Sequence, residues 1–88
     1  MKFILNRKLD KFEIIKYKKL INDNNGICET YKTFENHGYL IVGKGFEGFI
    51  ILDDDKTIIN ITKKPIFISW KIIEKYVKLQ INKLENET

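Results

Sequence analysis

Residues 39–61 read YLIVGKGFEGFIILDDDKTIINI, and this stretch decides the fold of the chain. It contains two continuous apolar runs, at 39–42 and 49–52, which are rich in β-branched residues and bounded by glycine or aspartate. Runs of this length and composition predict strands from the middle of a sheet. The polar residues 53–56 predict a turn, after which residues 57–61 predict a third strand.

Elements outside this stretch are predicted from the period of the apolar residues. Residues 27–34 predict a further strand, closed by a turn at 36–38. After Pro65 the apolar period becomes helical, and Ser69 is the expected cap of a helix. The predicted buried face of that helix contains Ile72, Ile73, Tyr76, Val77, Ile81 and Leu84, with Trp70 at its edge.

Segment 7–24 leaves two alternatives open. As a helix it has two separate apolar stripes, and as a strand it needs a bulge between Ile14 and Ile15. Its length favours the helix, and Asn25-Gly26 suits either a hairpin turn or a helix C-cap. We therefore expect one α+β domain over residues 1–88. Its parts are an antiparallel sheet of about four strands, this N-terminal helix and a C-terminal amphipathic helix.

The length and the cysteine count exclude several classes of protein. At 88 residues the chain is too short for a TIM barrel, a kinase or a two-half dinucleotide fold. Cys28 has no second cysteine to pair with, so no disulfide framework and no CxxC metal site is expected. The first eight residues contain an apolar run of only three, which is too short for a secretion signal or a membrane span. We expect a cytoplasmic protein without membrane contact.

Residues 43–48, GKGFEG, match the GxGxxG pattern of nucleotide-binding loops. In the dinucleotide fold the motif lies between a strand and a helix, whereas a strand is predicted to follow it here. The context favours a β-hairpin in which the glycines supply positive φ and a bulge. His37 and Cys28 are also not paired by any catalytic spacing. We expect no enzymatic activity, no cofactor, no metal and no small-molecule substrate.

Charge is unevenly distributed along the chain. Residues 1–44 carry +4, residues 45–62 carry −3 and residues 63–88 carry +3. The three successive aspartates of the negative segment are more typical of a solvated turn than of a calcium loop, because no glycine and glutamate follow at the required spacing. An acidic hairpin between basic flanks can bind a positively charged cleft of another protein. The predicted partner-binding residues are Phe46, Glu47, Asp53, Asp54 and Asp55.

A basic nucleic-acid-binding module is the alternative. The isoelectric point is about 9.2, and the last predicted helix carries Lys71, Lys75 and Lys78 on one face. The chain has 15 lysines but a single arginine, and arginine is the residue that reads guanine and clamps phosphate. The abundance of Ile, Lys and Asn is also typical of AT-rich coding, which weakens an inference from the number of lysines.

Between residues 38 and 84, the order of these features resembles the SUKH superfamily. The resemblance lies in GYLIVG at 38–43, a glycine-bearing turn, GFIILD at 48–53, TII at 57–59, and FIS at 67–69 opening a helix. Members of that superfamily are α+β domains, and many are immunity proteins that bind and neutralise polymorphic bacterial toxins. The resemblance implies a protein-binding function and implies no catalytic residues.

Our leading hypothesis is a non-enzymatic inhibitor that binds a protein partner, namely an immunity protein that occludes the active site of a bacterial toxin. The acidic hairpin would enter the positively charged substrate cleft of a nuclease toxin as a phosphate mimic, with Phe46 as an anchor. The net charge of +4 opposes this mechanism, because mimicry favours an acidic molecule. The alternative hypothesis is a small basic nucleic-acid-binding regulator of phage or plasmid type.

Overall fold

The computed structural model describes residues 1–32 and 37–86, with the backbone alone at Tyr31 and Lys32. Within this part of the chain the strands build an antiparallel sheet with the order β1-β5-β4-β3-β2. In chain order the elements are β1 (Lys2–Leu5), α1 (Lys11–Asp23), β2 (Ile27–Lys32), β3 (His37–Gly43), β4 (Phe46–Leu52), β5 (Thr57–Lys63) and α2 (Trp70–Glu85).

The predicted α+β class is confirmed, with one strand more than expected. The additional strand is β1, whose apolar run is too short to stand out in the sequence. It forms because it pairs with β5, and the amino group of Met1 extends this pairing by donating a hydrogen bond to the carbonyl oxygen of Ile61 at 2.7 Å. Its side chains alternate, with Phe3 and Leu5 buried and the other two exposed.

The ambiguous N-terminal segment is a helix, α1, and local signals determine both of its ends. The Asp10 side chain accepts a hydrogen bond from the Glu13 nitrogen at 2.8 Å, and the Glu13 side chain accepts one from the Asp10 nitrogen at 3.1 Å. This capping box satisfies two donors that the first turn leaves unpaired. At the other end Asn25 adopts a φ of 64°, and the Gly26 nitrogen donates to the carbonyl oxygen of Ile21. The helix therefore stops in a Schellman motif.

The predicted turns have mixed outcomes. The turn at residues 36–38 is wrong for His37 and Gly38, because both pair in register with the end of β4 and lie in β3. The first residue of that turn and the last two residues of the strand predicted before it lie outside the described residues. The turn after β4 forms as predicted, with the Asp53 nitrogen donating to the carbonyl oxygen of Lys56 at 2.9 Å.

Both helices lie on one face of the sheet, which we call the inner face. Leu5, Leu9 and Leu84 form the core there, together with partly buried side chains from α1, β4 and α2. Each helix contacts its own edge of the sheet, α1 at β2 and α2 at β1. The opposite face of the sheet, which we call the outer face, carries neither helix.

The C-terminal helix buries less of its apolar surface than its sequence predicts. Four of the six predicted side chains are buried or half-buried, namely Ile73, Val77, Ile81 and Leu84. The prediction is wrong for Ile72 and Tyr76, which are 49% and 67% exposed. The apolar face of α2 is wider than the surface it packs on, because the helix contacts the sheet at its edge strand β1.

Candidate functional site

The β3–β4 turn and the connection from β5 to α2 meet at one end of the sheet, which we call the hairpin end. Lys44 and Gly45 both have positive φ, 51° and 85°, as a tight two-residue hairpin turn requires. Pro65 lies so close to this turn that a Cβ on Gly45 would be 2.9 Å from the proline Cγ. The hairpin predicted from the GxGxxG pattern is present, and glycine at position 45 also permits the close approach of the two loops.

Two large apolar side chains project from the hairpin end. Ile66 is 97% exposed and Phe67 is 87% exposed. They lie between Pro65 and the helix cap Ser69, in a connection that has no partner element to bury them. Sequence reasoning did not select these residues, although two large apolar residues in a short loop are a signal for an interaction surface.

Phe46 and Glu47, from the predicted partner-binding set, also lie at the hairpin end. They are the first two residues of β4, so their side chains point to opposite faces of the sheet. Phe46 lines an apolar cleft on the inner face. Glu47 lies in the same row of the sheet as Val42 and Lys63, where the register between β4 and β5 shifts by a bulge.

An apolar cleft opens on the inner face over the middle strands of the sheet. It has a volume of about 230 Å³. The cleft exists because the helices contact the two edges of the sheet and leave the middle strands uncovered toward the hairpin end. Its floor is formed by side chains from three neighbouring strands, namely Ile41, Ile50, Ile59 and Ile61, with Phe46 beside them.

The structure separates the three predicted aspartates from Phe46 and Glu47. The aspartates form the turn after β4, whereas Phe46 and Glu47 begin that strand. A strand of this length spans about 20 Å, so the two groups occupy opposite ends of the sheet. Asp54 and Asp55 are exposed, and the Asp53 side chain accepts a hydrogen bond from the Asp54 nitrogen at 2.9 Å. Among the described residues, no cluster of three or more potential metal-ligating side chains is found.

The three lysines of the alternative hypothesis do lie together on α2. Lys71, Lys75 and Lys78 are all exposed. The Nζ of Lys78 donates to a carboxylate oxygen of Glu74 at 2.7 Å, one helical turn away. This hydrogen bond lowers the pKa of Glu74, and the charges of Lys78 and Lys71 add to the effect. A carboxylate therefore lies within the basic stripe and offsets part of its charge.

A second group of lysines, which sequence reasoning missed, surrounds a groove between α1 and β3. Lys8, Lys11 and Lys18 line this groove of about 480 Å³ with His37 and Tyr39. Lys11 and Lys18 lie on one flank of α1, a spacing that becomes visible once the segment is known to be helical, and Lys8 lies just before the helix. The groove is a further positively charged surface, on the inner face and away from α2.

Cys28 and His37 are not brought together. Cys28 is opposite Ile41 in the pairing of β2 with β3, four residues beyond His37 along β3. That separation is about 13 Å along the strand. Burial raises the pKa of the Cys28 thiol, although the charge of Lys18 opposes this effect. The thiol is therefore neither paired with the histidine nor activated by its surroundings.

Comparison of the chain with protein-family models, with curated proteins and with solved structures finds no match in any of the three. Within residues 1–32 and 37–86, no helix is long and apolar enough to cross a membrane. Among the large apolar side chains of the described residues, Ile66 and Phe67 at the hairpin end have the highest exposed fractions.

Proposed function

We propose that this chain is a non-enzymatic protein-binding inhibitor, an immunity protein that neutralises a bacterial toxin by binding it and occluding its active site. The exposure of Ile66 and Phe67 supports the protein-binding part of this proposal most directly. Burying a phenylalanine or isoleucine side chain at an interface is worth about 1.5–3 kcal/mol. Two neighbouring side chains of this kind can anchor a partner, as central apolar residues do in other interfaces.

The residues around these anchors suit a protein partner. Phe46 and the apolar cleft lie at the same end of the sheet as Ile66 and Phe67. The cleft is concave, whereas the connection that carries Ile66 and Phe67 is convex. The Nζ of Lys64 lies 5.6 Å from the centre of the Trp70 ring, so Lys64 places a positive charge at the edge of the apolar surface. An apolar centre with a polar rim is the usual organisation of a protein interface.

The three aspartates enter the proposal as a second contact. A standard interface buries about 800 Å² on each partner, which corresponds to a patch roughly 28 Å across. A partner of that size can reach both the hairpin end and the turn after β4, which are about 20 Å apart. In a toxin with a positively charged cleft, the aspartates would provide charge complementarity while Ile66 and Phe67 provide apolar contact.

The test begins with affinity capture from the source cell, using the purified domain as bait at about 0.3 M salt to weaken contacts with phosphate. The catalytic activity of the captured partner is then measured with and without the domain. We expect inhibition by the wild type and loss of binding with Phe67→Ser. The matched control is Phe12→Ser, because Phe12 is 82% exposed on α1 and distant from the hairpin end.

Three results would contradict the proposal. Recovery of nucleic acid alone, released as salt rises, would favour the basic regulator and the lysines of α2. A captured partner whose activity is unchanged by the domain would exclude inhibition. Equal binding by the Phe67→Ser and Phe12→Ser variants would exclude the hairpin end as the anchor. Replacing the three aspartates by asparagine tests the second contact separately.

A further inference from the structure

The outer face of the sheet is apolar although no helix covers it. Antiparallel sheets with one solvated face usually alternate apolar and polar residues along each strand. In β4 the run Phe49–Ile50–Ile51–Leu52 is continuous, so apolar side chains point to both faces. Ile50 and Leu52 pack against the core of the inner face. Phe49 and Ile51 therefore lie on the outer face, in the pattern of a strand that is buried on both sides.

Neighbouring strands continue this apolar surface. Ile58 of β5 is in register with Ile51, and Ile4 of β1 is in register with Ile58. On the other side of β4, Leu40 of β3 is in register with Phe49. Ile4 is 49% exposed. The four side chains at the centre of the outer face are half-buried, and a second layer would cover them further.

The total exposed area of the chain is large enough for such a second layer. A folded monomeric chain of 10.5 kDa is expected to expose about 5,400 Å². This chain exposes 6585 Å². The excess of about 1,200 Å² exceeds the roughly 800 Å² that each partner buries in a standard interface. Summed over all its surfaces, the chain therefore exposes an excess larger than the area that one partner buries in a standard interface.

Opposite charges at the two ends of one row of the outer face fit a second copy of this chain as that layer. One row of the sheet crosses all five strands and has a lysine at one end and a glutamate at the other, in the order Lys2, Asn60, Phe49, Leu40, Glu29. Lys2 and Glu29 are separated by four strand spacings, about 19 Å, so they cannot pair within one chain. A two-fold axis parallel to the strands reverses the strand order and keeps each row at its height. It places Lys2 of each copy over Glu29 of the other.

We infer that two copies of this chain form a dimer by stacking their outer faces about a two-fold axis parallel to the strands. The middle strand β4 of one copy faces β4 of the other, so Phe49 and Ile51 meet their own counterparts at the centre. Ile58 faces Gly38 of the second copy, where no side chain projects. Sheets stacked in this way lie about 10 Å apart with their strands rotated by about 30°. The apolar cleft of the inner face stays free for another partner, whereas Glu47 lies on the stacked face.

The first test compares two isoleucines of equal exposure. Ile4 on the outer face and Ile72 on α2 are both 49% exposed. Sedimentation equilibrium should show the wild type at twice its mass of 10.5 kDa. Ile4→Lys should raise the dimer dissociation constant at least about ten-fold, and Ile72→Lys should leave it unchanged. A monomeric wild type at about 0.1 mM, or dissociation by Ile72→Lys rather than Ile4→Lys, would overturn the dimer.

The second test uses exposed residues whose replacement leaves the core intact. Lys2→Glu and Glu29→Lys should each weaken the dimer about five-fold, since each change breaks two symmetric pairs. The double variant Lys2→Glu, Glu29→Lys should restore the wild-type dissociation constant. If the single changes have no effect, or the double variant dissociates further, the assigned axis is wrong. Circular dichroism of each variant verifies that it is folded.

Discussion

Replacing Glu13 with glutamine should destabilise the protein at neutral pH and have little effect in acid. Glu13 accepts hydrogen bonds from both terminal nitrogens of Arg7, each at 2.6 Å. These bonds lower the pKa of Glu13 from its ordinary 4.5 to about 2, against an opposing effect of burial. Glutamine keeps the size of the side chain and the oxygen that completes the capping box. The substitution therefore removes the ion pair and leaves the helix cap in place.

The magnitude follows from the lowered pKa and the exposure of the pair. At about 1.4 kcal/mol per pKa unit, a change from 4.5 to about 2 corresponds to about 3.4 kcal/mol. The Arg7 and Glu13 side chains are 23% and 19% exposed, so solvent screening reduces the expected effect to about 1–2 kcal/mol. Because the folded-state pKa is the lower one, this stability is present above pH 4.5 and is lost as pH falls toward about 2.

Urea unfolding monitored by the fluorescence of Trp70, at several pH values between 7 and 2, measures this effect. The wild type should lose its advantage over Glu13→Gln between about pH 5 and pH 2. Glu74→Gln is the matched control, since it removes a carboxylate from the exposed pair with Lys78 and should change stability little. A difference between wild type and Glu13→Gln that is the same at pH 7 and at pH 2 would refute the reasoning.

Substitutions at three further positions test other parts of the fold by the same urea assay. Thr57→Val should cost about 2–3 kcal/mol of unfolding free energy, because the buried Thr57 hydroxyl makes two hydrogen bonds. It donates to the Arg7 carbonyl oxygen at 2.9 Å and accepts from the Leu9 nitrogen at 3.0 Å. A cost below about 0.5 kcal/mol would mean that water replaces the hydroxyl as the partner of both groups. Gly45→Ala should cost about 1–2 kcal/mol because φ there is 85°, and an unchanged midpoint would contradict the described turn. Ser69→Ala should cost about 1 kcal/mol by removing the cap of α2, whereas Ser69→Asp should restore most of it.

The sequence predicts those elements whose signals are local. The two apolar runs around the GxGxxG hairpin predict strands, and Ser69 predicts the start of a helix, without reference to residues far away in the chain. All three predictions agree with the structure. The first strand was missed because it has four residues and its pairing partner lies at the far end of the sheet-forming sequence. Long-range pairing of this kind leaves almost no trace in a local pattern.

The two apolar stripes of α1 show why its assignment stayed open. One stripe, which includes Ile14 and Tyr17, packs against the core. The other side chains, Phe12, Ile15 and Leu20, are exposed, so the helix is apolar on more than one side. A helix of this kind has a weak amphipathic pattern in sequence even though its cap and its stop signal are both strong.

The candidate site was only partly predictable. Phe46 lies at the hairpin end, at one end of β4, and the aspartates follow its other end. The number of residues between them already implies a separation of about 20 Å, which could have been worked out from the sequence. Ile66 and Phe67 follow no period, so their importance depends on the packing of the loop around Pro65. Lys11 and Lys18 could be grouped with Lys8 only after residues 11–23 were known to form a helix.

The position of β1 at the edge of the sheet has a consequence for the order of folding. Strands β2 to β5 join neighbours along the chain through short connections, whereas Met1 and Ile61 are 60 residues apart and Arg7 and Leu84 are 77 apart. Closing loops of that length is entropically unfavourable until the rest of the sheet exists. We expect the four-strand meander to form first and the chain ends to join it last. Substitutions in β1 should then accelerate unfolding while leaving the folding rate nearly unchanged.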